Sequence, residues 1–281
     1  MKKQLILFPV LLIVMTLYSG CNNNSSKISE TNSQPIEIRY PDKGDFILQY
    51  EQVQKPFYRE VISEIEKYGL VRNIINDLNS MFILPYDIPV TFVQKNDANA
   101  YYNPQTRSIE FDLDFVDLIY DVFQQYYTQH EDLRRASLNT TVFLLLHEVG
   151  HALTDIYNLS VTGPEEDMVD NFSVFLLTNG NEEAEEALID GANFFSGLYQ
   201  IQGNPPATLR DYMDEHSMHL QRFYSILSLL YGKDPEKYQY FVDNGILPPE
   251  TINRKERLMK DYEKNRESWR KELSSRLQSN H

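Results

Sequence analysis

Ten residues constrain this chain more than any other stretch: Leu144-Leu145-Leu146-His147-Glu148-Val149-Gly150-His151-Ala152-Leu153. Apolar side chains flank two histidines and a glutamate, so the segment, within a helix expected over about 133–157, belongs in a core. A glutamate buried there without a partner or a metal is strongly destabilising. The fold around this helix must therefore bring polar groups to its centre.

Residues four apart on a helix have Cβ atoms about 5–6 Å apart on one face. His147 and His151 can thus converge on one ion, each nitrogen about 2.0–2.1 Å from it. The expected ion is Zn2+. Glu148, next to the first histidine, can take the proton of a water that zinc has acidified, which makes it the expected catalytic base.

A catalytic zinc needs a third protein ligand. The chain has one cysteine, Cys21, which excludes both a disulfide framework and a Cys-rich zinc site, so the ligand comes from His, Asp or Glu. No other His-x-x-His pair is placed to serve, but the next helix, opened by Gly163-Pro164 with Pro164 suited to its first position, is rich in acids. Its Glu166 and Asp170 stand at i and i+4 and share a face. Glu166 is the expected metal ligand, and Asp170 is expected to bond the free ring nitrogen of a ligating histidine. Glu165, on a stripe with Val169, Phe172 and Leu176, is the alternative ligand; the plainer reading is that these acids complement the helix dipole. For the oxyanion of amide hydrolysis the first candidate donor is His216, with Arg222 and Tyr224 as rivals.

The N-terminus reads as an address. Lys2 and Lys3 precede an apolar run over 5–18, and Ser19-Gly20 lead into Cys21. The run is shorter than the roughly 20 residues of a membrane span and contains Pro9. It resembles a bacterial lipoprotein signal, with Tyr18 where Leu is usual, which implies removal of 1–20, lipidation at Cys21 and a place in the cell envelope, on the periplasmic or extracellular face. Residues 21–45 are expected to form a disordered tether and 46–281 one domain. The formal charge of −15 argues against nucleic-acid binding.

Periodicity predicts one long or broken helix over 57–84 with Gly69 as the interruption, then strands over 90–94 and 101–112 turning at Asn103-Pro104-Gln105. Helices follow over about 115–130, 133–157, after Pro164, and over 182–200 and 217–231. The charged C-terminal stretch carries Leu258, Tyr262, Trp269 and Leu273 near helical spacing and should dock on the domain. The expected class is α+β, mostly α-helical, with a small N-terminal sheet packed on the His147 helix.

The run from His147 to Leu153, followed by Glu166 and Asp170, resembles the gluzincin branch of the zincin metallopeptidases. Asn99-Ala100-Tyr101-Tyr102-Asn103-Pro104, the stretch 163–170, and Gln221-Arg222-Phe223-Tyr224 through Tyr231-Gly232 resemble a bacterial domain family of unknown function described as a metallopeptidase. The resemblance implies a zincin-like fold, Glu166 as third ligand, Asp170 supporting His147, and hydrolysis of a peptide or protein substrate. It also implies an edge strand, here Asn99, Ala100 and Tyr101, along which the substrate lies. The chain departs from the pattern at Ser228 and Leu258, where relatives often carry cysteines, and at Asp114, near a position usually Glu. Two other readings compete: a zinc amidohydrolase of non-peptide substrates, and a non-catalytic zinc-binding envelope lipoprotein that binds another protein. An intact Glu148 speaks against the second, since a structural site needs only ligands.

Overall fold

The computed structural model describes residues 41–160, 163–203 and 218–278. Cys21 and His216 fall outside these, as do the signal and most of the tether.

The order of elements is β1 (Phe46–Tyr50), α1 (Pro56–Tyr68), α2 (Leu70–Met81), β2 (Ile88–Val93), β3 (Ala100–Asn103), β4 (Ser108–Asp112), α3 (Leu113–Gln124) and α4 (His130–Tyr157). Then come α5 (Glu165–Thr178), α6 (Glu182–Ile201), α7 (His219–Lys233), a short α8 (Tyr240–Asp243), a 3-10 turn (Pro249–Arg254) and α9 (Lys255–Leu273). The class is mostly helical α+β, with one small sheet.

Gly69 does interrupt the first helix. It adopts the left-handed conformation, φ 65°, and its N–H caps α1 on the Ile65 carbonyl. Pro164 sits at the N-cap of α5, one place before the first helical position that the sequence suggested. α9 docks as its apolar spacing implies, with Tyr262, Trp269 and Leu273 buried and Trp269 against Phe172 of α5 at 5.0 Å.

The strands run β1-β2-β4-β3, with β2 parallel to both β1 and β4, and β3 antiparallel to β4. Strand β1 was not foreseen from the sequence. Only Phe46 of its five residues is buried, so it lacks the alternation that marks a strand; the α1–α2 crossover is what lets it lie parallel to β2. The central strands fill the sheet's core with Ile88, Val90, Phe92, Ile109 and Phe111.

A helical side chain occupies each edge of this sheet. On β1, Asn79 of α2 mimics a further strand: its Oδ1 accepts from the Phe46 N–H at 2.7 Å and its Nδ2 donates to the Phe46 carbonyl at 3.0 Å. On β3, the Asp112 N–H bonds the Asn99 carbonyl at 3.0 Å. This sets the β3–β4 ladder so that Ala100 and Tyr102 turn their backbone groups to the open edge. The Tyr102 N–H there donates to Glu148 Oε2 at 2.8 Å.

Asp112 also fixes the approach to β3. Its Oδ1 caps α3 through the Asp114 N–H at 3.0 Å, while its Oδ2 accepts from the backbone N–H groups of Lys95 and Asp97 at 3.0 and 2.9 Å. One buried carboxylate thus holds both the loop before the edge strand and the helix after the sheet.

Helix α4 runs through the middle of the molecule, with Ala136, Phe143, Leu145, Val149 and Ala152 fully buried. Its short polar side chains bond back to the helix: Ser137 to the Leu133 carbonyl, Thr141 to Ser137, and Thr154 to Gly150, at 2.8–2.9 Å. Gly150 lets α5 come close. A Cβ placed there would fall 2.9 Å from Val169 Cβ and 3.1 Å from Phe172 Cδ1, so it is the side chains of α5, rather than a neighbouring backbone, that require the glycine. Alanine is the better helix former by about 1 kcal/mol, but overpacking a stiff Val169 costs about 1–3 kcal/mol. We expect Gly150→Ala to destabilise the domain, by denaturant unfolding, despite its gain in propensity; an unchanged or raised midpoint would show that α4 and α5 can part freely.

Candidate metal centre

His147, Glu148 and His151 lie on the face of α4 that looks towards β3 and the start of α5. The two imidazoles stand edge to face, with ring centroids 5.0 Å apart. Glu166, in the first turn of α5, reaches both: its Oε2 is 3.1 Å from His147 Nε2 and its Oε1 is 3.3 Å from His151 Nε2. One donor atom from each of the three residues lies within 4.8 Å of the others, a group that could hold a metal ion.

The remaining ring nitrogens are taken by carboxylates from α5. Asp170 Oδ1 lies 2.8 Å from His147 Nδ1, and Glu165 Oε1 lies 2.7 Å from His151 Nδ1. The consecutive acids Glu165 and Glu166 therefore splay to opposite edges of one imidazole. Asp170 is itself held by Arg222 of α7, whose Nε and Nη2 donate to its two oxygens at 2.7 and 2.6 Å.

Glu148 has one oxygen on the Tyr102 amide and faces a cleft of about 430 Å³. Asn99, Ala100 and Tyr101 line one side of this cleft, and the two histidines with Glu165 and Glu166 line the other. The Tyr102 hydroxyl donates to Asp155 Oδ2 at 2.8 Å across the rim. Tyr101 uses its hydroxyl on Glu110 at 2.5 Å, on the sheet.

Charge at the centre follows from these contacts. Burial and the Arg222 cation both oppose protonation of His147, yet the hydrogen bonds to Asp170 and Glu166 prevail and hold its pKa up at about 9. Burial and the neighbouring His147 lower that of His151, but the bonds to Glu166 and Glu165 and the Glu148 charge together outweigh them, so the net shift is upward. Burial would raise Glu166, but the two histidines hold it well below the ordinary carboxylate range. An ionised carboxylate facing two imidazoles whose far nitrogens are bonded is a set of donors suited to a cation. Glu148 differs. Burial dominates and raises its pKa, against the lowering by His147, His151 and the Tyr102 N–H.

A protein family of unknown function whose description reads "Putative metallopeptidase" matches residues 50–273. The chain belongs to this family. No curated protein and no solved structure matches it. The match begins in β1 and ends with the last residue of α9, so in this metallopeptidase family member it takes in every element that builds the centre.

Three contacts of this centre were not read from the sequence: Arg222 on Asp170, Glu165 on His151, and the Tyr102 amide on Glu148. Arg222, a rival donor for the oxyanion in the sequence, has its Nε and Nη2 on Asp170 behind His147 and is not among the described residues that line the cleft. Tyr224 does not line the cleft either; its ring packs edge-on against Phe223 and is 41% exposed.

Proposed function

We propose that the protein is a zinc-dependent peptidase of the bacterial cell envelope, tethered through a lipid on Cys21. His147, His151 and Glu166 would hold the ion, in the His-His-Glu combination that leaves a position open for chemistry. Bound there, zinc supplies Lewis acidity, polarising the scissile carbonyl and acidifying water.

The chain's own residues do the rest. Glu148 takes the proton of the attacking water and passes it to the leaving amine, and its raised pKa suits a group that must both accept and return a proton. The Tyr102 N–H aims the carboxylate and keeps one of its oxygens occupied. Asp170 and Glu165 orient the histidines. Ala100 presents its backbone N–H and C=O on the open edge of β3, where an extended peptide would add as a further strand, with Asn99 and Tyr101 beside it. His216 is the proposed oxyanion donor.

The observation that carries this reading is Glu148, a buried acid beside the three donors, tied to an edge strand and facing a cleft; a merely structural ion would have no use for it. The test is metal analysis of the purified protein, with hydrolysis of a mixed peptide library before and after chelation. Zinc at one equivalent, and cleavage lost with the metal and restored by zinc, is the expected result. A protein fully loaded with zinc that cleaves no peptide would end the peptidase reading.

A further inference from the structure

Behind His147 lies a buried ionic assembly that hydrolysis itself does not call for. Arg222 is only 9% exposed, its guanidinium lies 3.9 Å from the centre of the Phe195 ring of α6, and Nε and Nη2 grip both oxygens of Asp170. Nη2 also comes within 3.2 Å of His147 Nδ1. Four helices meet at this point: α4 through His147, α5 through Asp170, α6 through Phe195 and α7 through Arg222.

A buried guanidinium–carboxylate pair is a poor device for stability, because desolvating both ions consumes most of their attraction and apolar residues of the same volume often do better. It is a good device for geometry. Guanidinium is a planar fork with five donors and no acceptor, and a carboxylate held by it on both oxygens has its plane fixed. Asp170 Oδ1 is then a pure acceptor 2.8 Å from His147 Nδ1, so Nδ1 must donate to it, and the approach of the Arg222 Nη2 donor to Nδ1 is a contact rather than a hydrogen bond. Nε2 is then the nitrogen that faces Glu166 and His151, and on giving up its proton it would offer its lone pair to a metal there.

We propose that Arg222 is a positioning residue of the metal centre: acting through Asp170, it fixes the orientation of the His147 ring and so the affinity of the His147–His151–Glu166 group for a divalent ion. The assignment rests on the metal-binding reading of these three residues.

The test uses Co2+ as a probe, with chelator competition for affinity and the visible d–d spectrum for geometry, on the full chain. Lysine keeps the charge of Arg222 but cannot form the fork. Arg222→Lys should bind Co2+ roughly 10–100-fold more weakly, the range expected on losing an orienting partner, with an altered d–d spectrum and unchanged far-UV circular dichroism. In an Asp170→Asn background the same substitution should add nothing further, since the route through Asp170 is already broken. Should Arg222→Lys prove unfolded, Arg222→Gln, which retains donors without the buried charge, takes its place in the same cycle. Wild-type affinity in the folded variant, or a loss that adds in full to that of Asp170→Asn, overturns the proposal. A wild-type chain that binds no Co2+ overturns the metal site itself and this assignment with it, which separates the two failures.

Discussion

Glu148→Gln is expected to lower peptide hydrolysis by about 10²–10⁴-fold, the range over which a positioned general base contributes, while leaving metal content intact. Glutamine has the same shape, and its amide oxygen can still accept from the Tyr102 N–H that holds Glu148 at 2.8 Å. The variant therefore keeps the cleft and loses only the ability to take a proton. Burial already disfavours the charge on Glu148, so removing that charge should not destabilise the domain. Kinetics on a peptide from the library, run beside metal analysis and thermal unfolding, decide it: comparable activity in wild type and Glu148→Gln would remove Glu148 from the chemistry, whatever the metal does.

The second large effect separates two neighbouring acids. Glu166→Ala is expected to abolish stoichiometric zinc binding, because its two oxygens face the Nε2 atoms of both histidines at 3.1 and 3.3 Å and no other carboxylate among the described residues does so. Glu165→Ala should bind zinc, weakened by no more than the roughly 10–100-fold that loss of an orienting group costs. Glu165 reaches His151 through Nδ1 and is half exposed, so its hydrogen bond competes with water, whereas Glu166 is buried. Isothermal titration of the two apo variants with zinc gives the comparison. If Glu165→Ala loses the metal and Glu166→Ala keeps it, the ligand assignment is reversed.

That comparison also marks where reading the sequence stops. Helix α4 and the His147–Glu148–His151 constellation were legible because burial, period and chelate spacing all lie within one helix. So was the pairing of Glu166 with Asp170, four residues apart on α5. Which of Glu165 and Glu166 meets the Nε2 atoms depends on how α5 is rotated against α4, and Gly150 with Val169 and Phe172 sets that contact. Arg222 stands 52 residues beyond Asp170 and is aimed at it by the packing of α7, which no local pattern encodes. The amide of Tyr102 has no side-chain identity at all; only the ladder register turns it outward. Strand β1 escaped notice because its hydrogen bonds depend on β2 and Asn79, while its own residues are mostly half exposed.

Asn79 and Glu148 share a consequence that has nothing to do with hydrolysis. A four-stranded sheet with two bare edges invites pairing with the sheet of another molecule, the first step towards intermolecular aggregates. Here the Phe46 amide and carbonyl are closed by Asn79, and the Tyr102 amide is closed by a Glu148 oxygen, so an incoming strand finds these groups already paired. On β3 this leaves Ala100 as the residue with both backbone groups open, enough to register a short peptide but too little to template a neighbouring sheet. The same carboxylate thus serves as a solubility gatekeeper, and truncating it to alanine would expose the molecule to self-association that the glutamine variant avoids.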